Sequence, residues 1–159
     1  MEEFQKEIED AIEVRRLELE KLCQGKKVDL SALELDDLDA LCIAISLIRR
    51  EDAIESIYLG SNSIKDEGLE AISSALSKHT ELKELYIASN NFQEAGLANL
   101  INIIPDLSLL NTLSLGLSHI NDTILTNLSG SLLSMTDCSL QHLFLNGNEI
   151  GDEGLLSLM

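Results

Sequence analysis

Five short segments recur along this 159-residue chain at an almost constant interval: VDLSALEL from Val28, IYLGSNSI from Ile57, LYIASNNF from Leu85, LSLGLSHI from Leu113 and LFLNGNEI from Leu143. Their starts lie 29, 28, 28 and 30 residues apart. In the last four an aliphatic residue stands three positions earlier (Ile54, Leu82, Leu110, Leu140), where the first has Gly25. A period of this length is one supersecondary unit repeated, and no single unit can bury its own apolar face. Alternation of Leu-x-Leu is the period of a short strand, so stacked copies give parallel strands ~4.8 Å apart. After each strand the spacing turns helical: Leu69, Ile72 and Leu76, then Leu97, Leu100 and Ile104, then Leu125, Leu128 and Leu132. Each repeat is therefore expected to run strand, turn, helix and return. Neighbours supply the missing wall, at ~1.5–3 kcal/mol for each fully buried Leu or Ile. Aromatics are only 3% of the chain and Trp is absent, which suits thin, similar layers better than a globule built on large anchors.

Three positions outside the apolar frame also repeat. Asn62, Asn90 and Asn148 share a turn position, where an Asn side chain can satisfy backbone groups left unpaired by the bending strand. The first and fourth repeats carry Leu33 and Ser118 there. Losing such a bond costs ~1–3 kcal/mol, so a wider or strained turn is expected in both. An acid then stands just ahead of every helix: Asp37, Asp66, Glu94, Asp122 and Asp152. A calcium ladder is one reading of that regularity, and the simpler one is that each acid accepts the free N–H groups of its own helix and complements its dipole. Gly68, Gly96 and Gly154 follow at a fixed offset, consistent with close packing of helix against strand, a pattern that Asp39 and Ile124 break.

The motif LxLxxNxIxDxGxxxL, read in IYLGSNSIKDEGLEAI and LFLNGNEIGDEGLLSL, resembles the ribonuclease-inhibitor-like class of leucine-rich repeats. The resemblance spans about residues 28–159. It implies an α/β solenoid: a right-handed superhelix with parallel strands on the concave face and helices on the convex face. The class contains inhibitors, sensor domains of NOD-like receptors, actin-capping tropomodulins, GTPase activators of the Ran type, and effectors that intracellular bacteria deliver into host cells.

Residues 1–24 read as an N-terminal capping helix, with Phe4, Ile8, Ile12, Leu19 and Leu22 on one side and Arg15 at its margin. A first repeat left uncovered would expose its core edge. The alternative is a separate helix that binds elsewhere. Residues 25–159 form the repeat domain of about five repeats, the last incomplete, since the chain stops at Leu158-Met159 inside the fifth helix. An open edge is expected there, either continued by further chain or available for self-association.

The formal charge is −17, and all eleven Lys and Arg lie between Lys6 and Lys83. A cation-free half argues against nucleic acid and against anionic membranes, and favours a protein partner with a basic surface. Cys23, Cys42 and Cys138 are odd in number and widely spaced, so they read as buried free thiols with neither a disulfide nor a metal role. The acidic start MEEFQKEIED lacks signal-peptide character, and no apolar run approaches the ~18–20 residues of a membrane span. A cytoplasmic protein is expected, within a host cytosol if the chain is a delivered effector.

Reactive groups are not clustered. His79, His119 and His142 occupy unrelated repeat positions, and Ser118-His119 and Cys138-Ser139 are adjacent only in sequence, where side chains diverge. No phosphate loop, dinucleotide fingerprint or HExxH occurs. Neither catalytic, cofactor nor metal residues are expected, and the chain does not read as an enzyme. The outward strand positions carry more information. Their central column is Asp29, Tyr58, Tyr86, Ser114 and Phe144, flanked by Glu84 and His142, and it holds three of the five aromatics in the chain. Rings amid small neighbours favour partner contact, although Tyr58 and Tyr86 on adjacent strands can equally stack on each other. The expected function is a non-catalytic protein-binding module that uses its concave face. GTPase activation of the Ran type and a structural subunit that assembles through its C-terminal edge are the alternatives. The first lacks any Arg beyond Arg50 to offer a transferring phosphate.

Overall fold

The computed structural model describes residues 2–159, with side chains from Gln5 onward, so the side chain of Phe4 lies outside the described residues. Helix α1 (Glu2–Leu22) precedes five strand–helix units: β1 (Lys27–Asp29) with α2 (Asp37–Ile48), β2 (Ser56–Tyr58) with α3 (Asp66–Leu76), β3 (Glu84–Tyr86) with α4 (Glu94–Ile103), β4 (Thr112–Ser114) with α5 (Asp122–Leu133), and β5 (His142–Phe144) with α6 (Asp152–Leu156). The strands form one parallel sheet in chain order, and each helix packs on its neighbours in sequence. Val28, Ile57, Leu85, Leu113 and Leu143 stand in one register row, as the repeat requires. The first four are fully buried, and Leu143 is partly so. The same gradient holds for Leu30, Leu59, Ile87 and Leu115, then Leu145. Phe92 fills the turn row beside Ile64 and Ile120. This is an α/β solenoid whose core is assembled layer by layer from aliphatic side chains.

The turn asparagines act between repeats as well as within them. Asn62 donates to the carbonyls of Leu59 in its own repeat and Leu30 in the preceding one, and its Oδ1 accepts from Leu33 and Leu35 N–H. Asn148 does the same for Leu145, Leu115, Ser118 and Ile120. The two turns without their own Asn are therefore held by the Asn of the following repeat, and are not left open. The expected strain is nonetheless present. Ser61, Ser89 and Gly147 are the left-handed residues of the Asn-bearing turns, whereas the first repeat has both Ala32 and Glu34 at positive φ and the fourth both Leu117 and His119. A second non-glycine residue in that region costs ~1–2 kcal/mol.

The repeated acid also reaches across repeats, which corrects the expectation that it serves its own helix. Asp37 Oδ1 accepts from Lys65 and Gly68 N–H, Asp66 Oδ1 from Gln93 N–H, and Asp122 Oδ1 from Gly151 N–H. Helices α3, α4 and α6 have no side-chain cap of their own and begin on the carboxylate of the repeat before. The other two repeat helices cap themselves, α2 through Asp36 and α5 through Asn121. No repeat precedes α2, and the acid before α5 is the longer Glu94. The glycines follow from this contact and not from helix–strand packing. A Cβ on Gly68, Gly96 or Gly154 would stand 2.5–2.6 Å from the carboxylate oxygen of Asp37, Asp66 or Asp122. Where Gly is replaced by Asp39, the carboxylate instead takes the guanidinium of Arg15 at 2.7 Å from α1.

Only the second half of α1 covers the first repeat. Leu19 and Cys23 are fully buried, but Ile8, Ile12 and Leu22 are exposed. Arg15 meets Asp39 at the start of α2, and Arg50, just past its end, donates to the carbonyls of Cys23 and Gly25. The two helices thus run parallel, and the thirteen residues Glu2–Val14 project beyond α2 by ~20 Å at 1.5 Å per residue. No helix among the described residues is long and apolar enough to cross a membrane.

The thiols divide. Cys23 and Cys42 are buried, but Cys138 is exposed, against expectation. It sits in the stretch between α5 and β5, where the 30-residue spacing leaves extra chain outside the regular frame. Burial pushes the Cys23 thiol up to about 11. Under non-denaturing conditions, a thiol reagent is expected to label one cysteine rapidly, Cys138, and the other two only after denaturant; mass analysis of the labelled peptides checks this.

Candidate functional site on the concave strands

The sheet register places the outward residues in three columns. Lys27, Ser56, Glu84, Thr112 and His142 form the first, and Asp29, Tyr58, Tyr86, Ser114 and Phe144 the second. The third, continuing the strands, is Ser31, Gly60, Ala88, Gly116 and Asn146. The residues expected to bind are thus brought onto one surface. They are not equivalent on it.

Tyr58 and Tyr86 stack face to face, with centroids 4.7 Å apart and planes 6° from parallel. Lys27 Nζ lies 4.5 Å from the Tyr58 centroid, so a cation closes the other side of the stack. The Tyr58 hydroxyl donates to Glu84 Oε2 at 2.5 Å. That hydrogen bond, with burial and the Glu84 charge, pushes the Tyr58 phenol up to about 12. Lys27 and the Glu84 bond therefore hold the pair rigid, and Tyr86 is left as the stack's free face toward β4.

Beyond Tyr86 the surface drops. Ser114 was expected to stand outward and open, yet it is only 8% exposed, and Thr112 only 5%. Both are small and lie beneath larger neighbours on β3 and β5. On the far side Phe144 is 46% exposed, with the His142 ring 6.5 Å away. Asn146 fills the space over Gly116, where a Cβ would meet its Oδ1 at 2.8 Å. Asp29 is exposed and accepts from Ser31 N–H. The column thus reads as a stacked pair, a low floor at Ser114 and a second apolar wall at Phe144.

A feature outside the strand columns went unnoticed in the sequence. In the residues entering the strands, Glu55 bridges Lys26 at 2.7 Å and Lys83 at 3.0 Å. The three are 28–29 residues apart, so the repeat period was the signal that could have joined them. Within the strand columns Asp29 and Glu84 outweigh Lys27, and this neighbouring row contributes two cations against one anion. The acidity of the chain is concentrated elsewhere, on α1, the turns and the helix starts.

Catalytic geometry does not assemble on this surface. Ser118 Oγ donates to Gly116 O, and its neighbour His119 is exposed on a left-handed residue. His79 is buried with Nε2 against Leu47 O at 3.0 Å, joining the ends of two helices. A groove of about 430 Å³ between α4 and α5, lined by Ala98, Ile101, Pro105, Thr126, Gly130 and Ser131, holds no ionisable side chain.

The family model described as leucine-rich repeat matches residues 54–73 and 136–159. No curated protein sequence matches. Among solved structures, a tropomodulin C-terminal domain from Caenorhabditis elegans aligns with a TM-score of 0.72 over 92% of this chain and 88% of its own, at 12% identity. A structure described as leiomodin-1 actin-binding site 2 aligns with a TM-score of 0.69 over 90% of this chain and 82% of its own, at 13% identity. At these identities the likeness is one of fold, and it agrees with the repeat geometry: the chain has the leucine-rich-repeat fold.

Proposed function

We propose that this leucine-rich-repeat chain is a non-catalytic protein-binding module that holds a partner on its concave strands, with Tyr86 and Phe144 as anchors and Asp29, Tyr58, Glu84, Ser114 and His142 around them. The observation that carries the reading is the step in the central column. A rigid aromatic pair and an exposed ring flank a floor two strand spacings wide, ~9.6 Å, over Ser114. Rigid aromatics are where binding energy concentrates, because they lose little entropy on contact; with Ser114 covered, a partner rests on the two ring surfaces and does not insert between them. The concave rows are themselves nearly balanced in charge, so it is the long-range field of a chain carrying −17 that favours a partner with a basic, partly apolar surface, and its binding weakens as salt rises.

Tyr86→Ala is expected to weaken binding by about 2 kcal/mol or more, roughly thirtyfold in Kd, with an unchanged melt since the side chain points away from the core. The measurement is calorimetric titration of a partner isolated from a cytosolic extract, against Tyr86→Ala and the convex-face control Lys78→Ala. Equal affinity for the Tyr86 variant and the natural chain would remove the concave column as the site. Because the leiomodin-1 structure is described as an actin-binding site, actin belongs among the first proteins tested.

The stack makes a pH prediction. In the folded chain Tyr58 gives up its proton only near 12, against about 10 for an unconstrained phenol. The contribution of its hydrogen bond is complete below about pH 10 and is lost as pH rises through about 12. In Glu84→Gln the acceptor is neutral, so the tyrosinate absorbance attributable to Tyr58 is expected to shift to lower pH; coincident titration curves would contradict the assignment.

A further inference from the structure

We propose that the convex face of the first repeat is a second docking surface, built for a basic amphipathic helix of a partner protein. Leu38, Leu41, Ile45 and Ile48 lie on one side of α2 and are 40–50% exposed. They are spaced three, four and three residues apart, so they form a continuous apolar ridge along the whole helix. The same positions in α3 carry Glu67, Glu70, Ser74 and Ser77, and those in and just after α4 carry Ala95, Ala98, Asn102 and Pro105. The repeat gives the ridge an internal control. Elsewhere in the solenoid these positions are charged or small apart from single leucines, Leu133 in α5 and Leu156 in α6, and only in α2 are all four large and aliphatic. Packing against α1 does not explain them, because α1 meets α2 through Asp39 and the buried Leu19 and Cys23.

The flanks of the ridge indicate what covers it. On one side, α1 presents Glu13 and Glu20, both held by Arg16. On the other, α3 presents the exposed pair Glu67 and Glu70. Four carboxylates thus border the apolar line; of the cations nearby, Arg16 is paired within the α1 row, Arg15 is bound to Asp39, and Lys65 and Arg49 stand at the two ends. An apolar stripe between two acidic rows is complementary to a helix with an apolar face edged by Lys and Arg. A second copy of this chain is a poor fit, because each copy carries a formal charge of −17 and would oppose acid to acid. The surface is separate from the concave column, so the two readings stand or fall independently.

The test uses the full chain and a synthetic Leu/Lys amphipathic helical peptide, with fluorescence anisotropy read at two salt concentrations. Saturable binding is expected to the natural chain, weakened at least tenfold both in Leu41→Ser/Ile45→Ser and in Glu67→Lys/Glu70→Lys. Binding should be unchanged in Tyr86→Ala. The charge control is Asp152→Lys/Glu153→Lys, which alters net charge equally at the other end of the solenoid and should leave affinity within about twofold. Equal losses in the two charge variants would show attraction by net charge alone and overturn the proposal, as would full affinity in Leu41→Ser/Ile45→Ser. So would light scattering that shows the natural chain as a dimer and Leu41→Ser/Ile45→Ser as a monomer, since the ridge would then be covered by a second copy. Apart from the half-buried Tyr86 each substituted side chain is exposed, and a melt matching the natural chain verifies that the variants are folded.

Discussion

Leu85→Asp yields a chain with no cooperative thermal transition. Leu85 is fully buried in the middle layer, between Ile57 and Leu113, and the sheet register fixes its side chain toward the helices. The substitution forfeits ~1.5–3 kcal/mol of apolar burial and places an unpaired carboxylate where no cation can reach it, a further cost of several kcal/mol. The sum rivals the ~5–15 kcal/mol that holds a domain of this size together. Circular dichroism on heating is the measurement, and Tyr86→Asp is the control. One residue further on, the side chain reverses to the concave face, so Tyr86→Asp should keep a cooperative melt. A soluble Leu85→Asp chain that melts like the natural one would overturn the register itself.

The layers could be read from the sequence because a solenoid writes its core at one interval. Leu-x-Leu gave each strand and its inward face, and the register then needed only equal spacing. What the spacing concealed was the partner of each polar group. Asn62 and Asp37 were assigned to the turn and helix beside them in sequence, where local hydrogen bonding is the usual rule, while their bonds reach into the adjoining repeat. The period could have shown this, since a side chain between stacked turns is as near to the residue 28 positions away as to its neighbour. The exposed half of α1 had no such signal. Ile8 and Ile12 share the face of Leu19, and periodicity along a helix does not record where the surface beneath it ends. The burial of Ser114 depended on the size of Tyr86 and Phe144 across the sheet, which no single strand reveals.

Two kinds of inter-repeat link follow, and they separate stability from recognition. Aliphatic layers are continuous and interchangeable, whereas the polar links are few and specific. The candidate binding groups lie outside both, on side chains directed away from the core at Tyr86 and Phe144 and on the ridge of α2. Substitutions at those positions can change affinity without disturbing the layers. The polar links offer the complementary experiment, in which packing is left intact and the coupling between repeats is cut.

Asn62→Ala is the most informative of these. Its Oδ1 accepts from Leu33 and Leu35 N–H at 3.0 and 3.1 Å, and its Nδ2 donates to Leu30 O and Leu59 O at 2.9 and 2.8 Å. Alanine strands Leu33 N–H, Leu35 N–H and Leu30 O, while Leu59 O keeps the side-chain amide of Asn90. Each unsatisfied buried group costs ~1–3 kcal/mol, and partial access to water reduces the total to about 3–5 kcal/mol. Asn121→Ala, which removes a single N-cap bond to Ile124 N–H, should cost only about 1 kcal/mol. The two also differ in kind. Asn121 acts within one repeat, but Asn62 ties the second repeat to the first, whose turn already carries the strain of Ala32 and Glu34. In a solenoid, stability is the sum of repeat and interface terms, so weakening one interface lets the end unit open before the rest. Urea unfolding of Asn62→Ala is therefore expected to show a lower midpoint and a broader, less steep transition, with α1 and the first repeat lost ahead of the others. Hydrogen exchange would place the early opening at residues 15–50 and leave β3 and β4 protected. A parallel shift of the whole curve, no larger than that of Asn121→Ala, would mean that the apolar layers alone couple the repeats and that the asparagine bonds only shape the turns.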